Sequence, residues 1–305
     1  MTPFEIGLVL PLSQRGPERT TPRWTEIREI AGLGEESGYD TLWIIDELLW
    51  QVEGEPPQGV WDGVSMAGAV AAVTTRIKVG SWVLSALHRN PGIIAKTVET
   101  LDEISGGRFV FGLGAGHEWP GQARAFGLPE KQIFARFEEA LEIIVPLLRQ
   151  GHADFEGKFH AARDLVHEPV GPRPSAIPLL IGGNGPKAQR HAARHADIWS
   201  CYIEDRAHID ELRPRIESLE KICEEVGRDP ESIGRAVGVV IRPLEPAGAK
   251  EGSVSGTAEE IATTLMSFQD IGFNQLDLSV NPGTAAALEA LAPAIDMLRA
   301  RTPAT

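Results

Sequence analysis

The sequence is short of cysteine, of long apolar runs and of basic residues, and each shortage excludes a class of protein. Only Cys201 and Cys223 occur, without the paired spacing of a metal site, so neither a metal centre nor a disulfide framework is predicted. The longest apolar stretches, such as Met66 to Val73, are far too short to cross a bilayer. The net charge of -14 argues against nucleic acid or an anionic membrane as a partner.

The N-terminal residues also favour a particular cellular setting. Met1 to Ile6 have neither the basic region nor the apolar run of a secretory signal peptide. Together with the low cysteine content, this predicts a reduced, cytoplasmic environment. The acidic balance constrains any anionic ligand as well, because backbone N–H groups and local cations would have to hold it against an unfavourable overall field.

The hydrophobic residues, 42% of 305, are enough for a large core, and their order along the chain predicts the fold. Short β-branched runs alternate with longer helical patterns from end to end. The predicted strands cover residues 4–10, 41–45, 77–83, 108–113, 178–181, 197–200, 233–241 and 275–280. The predicted helices cover residues 23–37, 63–73, 92–104, 133–148, 186–195, 210–226, 258–271 and 284–299.

Eight strands and eight helices in strict alternation favour an α/β fold, a single (β/α)8 TIM barrel over residues 1–305. A doubly wound open sheet is the alternative. The glycines and prolines of residues 151–177 predict a loop or short hairpin inserted after helix 4. In a barrel, catalytic groups follow the C-terminal ends of the strands. The chemically interesting residues at such positions are Asp46, Glu47, His88, His117 and Glu118, with Cys201 and Glu204 after strand 6.

The segment after the fifth predicted strand is typical of an anion-binding turn. It consists of Gly182, Gly183, Asn184, Gly185 and Pro186, followed by Lys187. Glycines let backbone N–H groups approach an anion, and a helix that begins at Pro186 adds partial positive charge. Lys187 and Arg190 supply formal cations. The alternative is a tight strand-to-helix turn with no ligand, and phosphate sites in barrels more often follow strands 7 and 8.

A second glycine-rich segment follows the fourth predicted strand. Gly112 within the strand indicates close approach of another backbone or of a ligand. Gly114, Ala115 and Gly116 then form a floor of small residues, after which His117 and Glu118 can point into the barrel mouth. The spacing does not complete a Rossmann fingerprint. A solvated loop is the alternative reading of His117 and Glu118.

At these segments the sequence resembles the luciferase-like monooxygenase superfamily, and within it the oxidoreductases that depend on the deazaflavin coenzyme F420. The resemblance rests on residues 89–91, 104–108, 112–116, 125–127, 178–186 and 192–199, in order and at suitable spacing. It covers most of residues 4–200, and the remainder agrees in pattern only.

The resemblance implies a flavin or deazaflavin ring across the C-terminal mouth, with the cofactor phosphate at Gly182 to Lys187. It implies a non-proline cis peptide between Ser81 and Trp82, forming a bulge behind the ring. Asp46 matches a family aspartate near the pyrimidine edge of the ring, while Glu47 replaces a common histidine. The family acid that follows Gly114, Ala115 and Gly116 falls on His117 or Glu118. A homodimer is also implied.

The function predicted from the resemblance is hydride transfer between F420 and a small organic substrate. The proton donor or acceptor that accompanies the hydride is expected to be Glu118 or His117, with Glu47 as the third candidate. An FMN-dependent monooxygenase is the close alternative, because both cofactors carry a phosphate on a ribityl chain. A barrel that binds a flavin without turnover is the alternative from another class. A cofactor-free lyase or isomerase ranks last.

Overall fold

A computed structural model describes residues 4–14, 19–51, 54, 56–116, 121–203, 209–249 and 253–301, and it contains a closed barrel of parallel strands. The barrel strands are β1 (Glu5–Val9), β2 (Thr41–Ile44), β3 (Lys78–Ser81), β4 (Phe109–Gly114), β5 (Leu179–Gly182), β6 (Ile198–Tyr202), β7 (Gly234–Arg242) and β8 (Gln275–Val280). Each pairs in parallel with the next, and β8 pairs with β1. The predicted TIM barrel is confirmed.

The surrounding helices agree with the predicted ones to within three residues at each end. They are α1 (Trp24–Glu36), α2 (Gly63–Val73), α3 (Pro91–Ser105), α4 (Ile133–Gln150), α5 (Pro186–His195), α6 (Ile209–Val226), α7 (Ala258–Asp270) and α8 (Ala285–Arg301). Local chemistry explains where they begin. The Asn90 side chain accepts a hydrogen bond from the Gly92 N–H, and Thr257 and Glu260 form a reciprocal capping box on α7. None of the described helices is long and apolar enough to span a bilayer.

The insertion after α4 is an antiparallel hairpin, one of the two forms expected for residues 151–177. Its strands are His152–Glu156 and Ala161–Val166. The hairpin turn is fixed to α4, because the Glu139 carboxylate accepts backbone N–H groups from Lys158, Phe159 and His160 at 2.7–2.9 Å. These three bonds hold the turn against the N-terminal half of α4.

Trp43 fills the lower interior of the barrel. Its buried indole packs against Gly7 of β1 and Gly80 of β3, where a Cβ atom would approach the ring to 2.2 Å. The indole Nε1 donates to Asp277 Oδ1 at 2.6 Å, and Gln275 donates to the same carboxyl group. Burial raises the pKa of Asp277 to about 7 despite these hydrogen bonds. The barrel is therefore a packed core below its mouth.

Candidate functional site

The chain leaves the barrel ladder just after β3 and forms a bulge at the mouth. A non-proline cis peptide is present, but it joins Trp82 and Val83, so the predicted Ser81–Trp82 position is wrong by one residue. Ser81 stays in the ladder because it pairs with Ile44 and exchanges hydrogen bonds with the Gly112 backbone at 2.8 and 2.9 Å. The chain rejoins β4 at Leu84–Ser85.

Gly112 makes this junction possible. A Cβ atom at Gly112 would lie 2.0 Å from the Ser81 carbonyl oxygen, so only glycine allows the two backbones to come this close. The close approach predicted from the sequence is therefore that of another backbone. The consequence is that β3 and β4 are joined at the height where the bulge begins.

Trp82 reaches across the mouth to the far side of the barrel. Its indole lies against Gly238 of β7, where a Cβ atom would meet the ring at 2.4 Å. The ring packs edge-on against Tyr202 with centroids 5.5 Å apart, and its Nε1 donates to Ser200 Oγ at 3.3 Å. Sequence reasoning identified Trp82 but missed these three partners. A glycine in the middle of the apolar β7 pattern was the available signal.

Val83 forms the centre of a floor between two glycines. A Cβ atom at Gly114 or Gly182 would approach the Val83 side chain to 2.8 or 3.3 Å. Gly114 and Gly182 are neighbours because β4 and β5 pair in the register of Leu113 with Ile181. Gly114 thus borders the Val83 side chain, and Gly116 turns the chain away with a φ of 106°. The glycine turn and the floor lie side by side.

Asp46 is an anchor for the loop that follows β3. Its buried carboxylate accepts two hydrogen bonds from Arg89, at 2.6 and 2.9 Å, and one from the Ser85 N–H at 2.9 Å. His88 Nδ1 lies 3.3 Å from the same carboxylate. Burial alone would raise the Asp46 pKa, but His88 and Arg89 outweigh it and lower the pKa below its ordinary value. Asp46 is therefore held ionised.

The turn after β5 is held to β6 by one backbone hydrogen bond and by the Trp199 and Asn184 side chains. The Gly183 N–H donates to the Ser200 carbonyl, and the Gly183 carbonyl accepts from Trp199 Nε1, each at 2.9 Å. Asn184 exchanges two hydrogen bonds of 3.2 Å with the Tyr202 backbone. Asn184 thus extends the β5–β6 ladder by one step. Gly183 adopts a φ of 149°, a conformation that favours glycine.

The start of α5 meets the requirements of an anion site. Gly185 is the N-cap residue, and no side chain among the described residues caps the helix there. Gly185, Pro186 and Lys187 are exposed. Pro186 has no N–H, so the first helical N–H belongs to the exposed residue Lys187, at the positive end of the helix. The Lys187 ammonium lies 5.5 Å from the Phe134 ring centre.

The second predicted cation of this turn has another role. The Arg190 guanidinium pairs with Glu225 of α6 at 2.6 Å, so its charge is already compensated by a carboxylate. Of the predicted acid–base residues, Glu47 is half-buried directly after Asp46. His117 and Glu118 lie outside the described residues, and their predicted roles stay predictions.

These residues fit a coenzyme that joins a flat ring to a phosphate. The apolar floor at Val83 reaches Gly182 at the end of β5, and α5 begins shortly after it at Pro186 without a side-chain cap. A side chain at Gly114 or Gly182 would intrude on the floor. The chain also matches a family model. The model for luciferase-like monooxygenases matches residues 4–242.

The chain belongs to the luciferase-like monooxygenase family.

Membership of this family confirms the resemblance drawn from the sequence, and two kinds of relative describe it further. An F420-dependent glucose-6-phosphate dehydrogenase of Amycolatopsis mediterranei (strain U-32) is 30% identical over 244 residues, which are 74% of this chain and 67% of that relative. Two further relatives of the same name are covered over 55% and 56% of their length. The chain thus spans between about half and two thirds of these relatives.

Solved structures superpose on nearly the whole chain. An F420-dependent secondary alcohol dehydrogenase in complex with an F420-acetone adduct gives a TM-score of 0.80 at 19% identity, covering 98% of this chain and 100% of that one. A riboflavin lyase with modified FMN and riboflavin gives 0.82 at 16% identity, covering 100% and 93%. At these identities the likeness shows the fold.

Proposed function

We propose that this chain is an oxidoreductase that transfers a hydride between coenzyme F420 and a small organic substrate. The observation that carries the proposal is the adjacency of the Val83 floor to the exposed, uncapped start of α5. The named relatives support F420 as the cofactor, since the glucose-6-phosphate dehydrogenases and the alcohol dehydrogenase structure carry F420 in their names.

Each part of the mouth then has a physical task. The N–H groups at the start of α5, together with Lys187, would hold the phosphate. Val83 and Gly114 would support one face of the ring, and Trp82 would close the barrel interior behind it. When bound, the deazaflavin supplies a hydride donor or acceptor. The protein contributes orientation, because hydride transfer requires the two reacting carbons to be held in contact.

A proton must move with the hydride when the substrate is an alcohol or a carbonyl compound. Asp46 is unsuited to this task, since Arg89 and Ser85 occupy its oxygens and its pKa lies below the ordinary value. We therefore propose Glu118, His117 or Glu47 as the proton donor or acceptor. Glu118→Gln, His117→Ala and Glu47→Gln test this separately. Loss of less than about tenfold in turnover for all three contradicts the assignment, because general acid–base groups contribute about 10²–10⁴.

The choice of cofactor is tested by titrating the protein with F420 and FMN side by side. We expect a lower Kd for F420, and bleaching of its visible absorbance when an oxidisable substrate is added. Gly182→Val should weaken F420 binding by at least about tenfold, because the added side chain would meet Val83 and displace the floor. Gly32→Val is the matched control, since a Cβ atom at that position of helix α1 has no neighbour within 4 Å. Preference for FMN would contradict the proposal.

Two alternatives make different predictions. An FMN-dependent monooxygenase is supported by the riboflavin lyase structure, whose description names modified FMN. It predicts oxygen consumption with reduced FMN. A non-catalytic flavin-binding barrel predicts a tight cofactor complex without substrate turnover. Steady-state assays with both reduced cofactors separate all three.

We also propose that the chain forms a homodimer and works in the cytoplasm. An apolar groove between α2 and α3 supports the dimer, since Ile93 and Ile104 are exposed along it. Two buried free thiols, Cys201 and Cys223, are compatible with a reducing compartment. Light scattering of the wild type and of Ile93→Glu tests the dimer, with a monomeric wild type as the contradicting result.

A further inference from the structure

A second cavity lies beside the mouth, on the outer side of the loop that follows β3. It has a volume of about 250 Å³ and is lined by residues 86–90, by Pro129, by Arg136 of α4 and by His160 of the hairpin turn. The cavity thus joins three elements: the β3 loop, the first turn of α4 and the insertion. Four of its lining side chains are basic, namely His88, Arg89, Arg136 and His160.

The positive charge of Arg89 is already compensated, whereas that of Arg136 is not. Arg89 makes a bidentate contact with Asp46. Among the described residues, no carboxylate pairs with Arg136, and its Nε is buried without a hydrogen bond. Its contact is with the face of the Phe159 ring, 4.4 Å from the ring centre. Stacking on a ring leaves the N–H groups at the guanidinium edge able to bind an anion.

His160 adds a second buried group that lacks a partner. Its Nε2 is buried and makes no hydrogen bond within the described part of the chain. The neighbouring Glu139 carboxylate does not fill that place, because it is engaged by the backbone N–H groups of residues 158–160. Two buried nitrogens without partners in one small cavity are unusual, since buried polar groups are normally hydrogen-bonded.

The backbone strengthens the positive potential of the cavity. Asn90, at its edge, caps the 15-residue helix α3, and Arg136 lies in the first turn of α4. Both helices thus present their positive ends near the cavity. Arg136, whose guanidinium is unpaired, and His160, whose Nε2 lacks a partner, line the same cavity. From this juxtaposition we infer that the cavity is an anion subsite that binds a carboxylate or phosphate group.

The subsite is distinct from the glycine turn, which follows β5 and begins α5. A cavity so close to Gly116, whose neighbours are Leu87 and Ser85, can receive part of a molecule bound at the mouth. The anionic group then belongs either to the acidic tail of the coenzyme or to the substrate. This assignment of the source rests on the proposed function, whereas anion binding itself can be measured without turnover.

The test uses inorganic phosphate and the imidazole NMR signals of His160 at constant pH. We expect a saturable shift of these signals in the wild type, a Kd raised by about tenfold in Arg136→Gln, and partial recovery in Arg136→Lys. Arg163→Gln is the matched control, because it removes an exposed charge from the same hairpin. Circular dichroism checks that each variant is folded. Unchanged His160 signals in the wild type, or an Arg136→Gln response equal to the wild type, would overturn the subsite.

Two further measurements distinguish the source of the anion. If the coenzyme tail occupies the cavity, Arg136→Gln weakens binding of full-length F420 by about tenfold and leaves a tail-less phosphorylated form unaffected. If the substrate occupies it, the KM rises while the coenzyme Kd is unchanged. If Arg136→Gln changes neither the coenzyme Kd nor the substrate KM, the cavity takes no part in the reaction. A wild type that binds phosphate at His160 but never reduces F420 would contradict the proposed function alone.

Discussion

The two ends of the barrel interior each contain a tryptophan packed against glycine, but the two indole rings differ in burial and in hydrogen bonding. In the lower interior, Trp43 is fully buried and its Nε1 is bound to Asp277. At the mouth, Trp82 is half-buried and its Nε1 makes a longer bond to Ser200. The lower layer is closed and internally satisfied, whereas the mouth keeps an apolar face and helix N–H groups accessible. The difference separates residues that stabilise the barrel from residues available to a ligand.

The largest expected effect is on the lower interior. Trp43→Ala removes a buried indole and leaves a cavity over Gly7 and Gly80, so the free energy of unfolding should fall by about 3–5 kcal/mol. The F420 Kd of the folded fraction should change by less than about twofold. Denaturant unfolding and fluorescence titration measure the two quantities. A large loss of F420 affinity without a loss of stability would contradict the division between the layers.

The pH dependence of stability should also originate in the lower interior. The pKa of Asp277 is raised by burial to about 7, so ionisation is easier in the unfolded chain than in the native state. Its stabilising contribution is complete below the unfolded pKa and is lost as pH rises through the folded pKa. Asp277→Asn should therefore gain stability over the wild type between about pH 4 and pH 7, by on the order of 4 kcal/mol.

Chemical denaturation over that pH range measures the effect of Asp277→Asn. Asp154→Asn, on the exposed hairpin, is the control for the loss of one negative charge. A pH-independent difference between Asp277→Asn and the wild type would show that Asp277 is ionised at no cost in the native barrel. The comparison also tests whether Trp43 and Gln275 suffice to stabilise the anion.

A smaller effect is expected from Trp82 at the mouth, where cofactor binding and not stability should change most. Trp82→Ala should weaken F420 binding by about tenfold, because the coenzyme loses the ring that closes the barrel beneath it. The free energy of unfolding should change less than in Trp43→Ala, because Trp82 is only half-buried. Equal stability losses in the two variants would remove the distinction between the two ends.

The smallest effect concerns the two cations of α5. Lys187→Gln should raise the F420 Kd by about threefold, as expected for an exposed charge near a phosphate. Arg190→Gln should change it by less, because the Arg190 guanidinium is paired with Glu225. Side-by-side titrations check the order. A larger effect at Arg190 would mean that the ion pair with Glu225 opens when the coenzyme binds.

Local patterns predicted the fold well because each barrel element carries its own signal. The alternation of strands and helices gave all eight units, and Asn90–Pro91 marked the start of α3. The position of the cis peptide was missed by one residue, because it depends on Ser81 bonding to Gly112, 31 residues away in sequence. Sequence spacing does not reveal such a contact.

The candidate site was predicted less completely for the same reason. Asp46 was assigned to a ring edge, and the structure adds that Arg89, 43 residues later, occupies its oxygens. Likewise, Ser200, Tyr202 and Gly238 meet Trp82 only through the closed barrel. Glycines and helix starts are visible in the sequence, whereas pairing between distant side chains is determined by tertiary packing.

Hydrogen bonds fix the bulge after β3 at both of its ends, which limits how its backbone can move when its side chains are changed. Ser81 is held by Gly112, and Ser85 is held by Asp46 and by its pairing with Gly114. The length of chain between these fixed points sets where the backbone of the floor lies, whatever side chains stand at positions 82 and 83. The backbone of these two residues thus keeps the same position in the barrel mouth when their side chains change. Specificity can then change by substitution there without rebuilding the strands beneath.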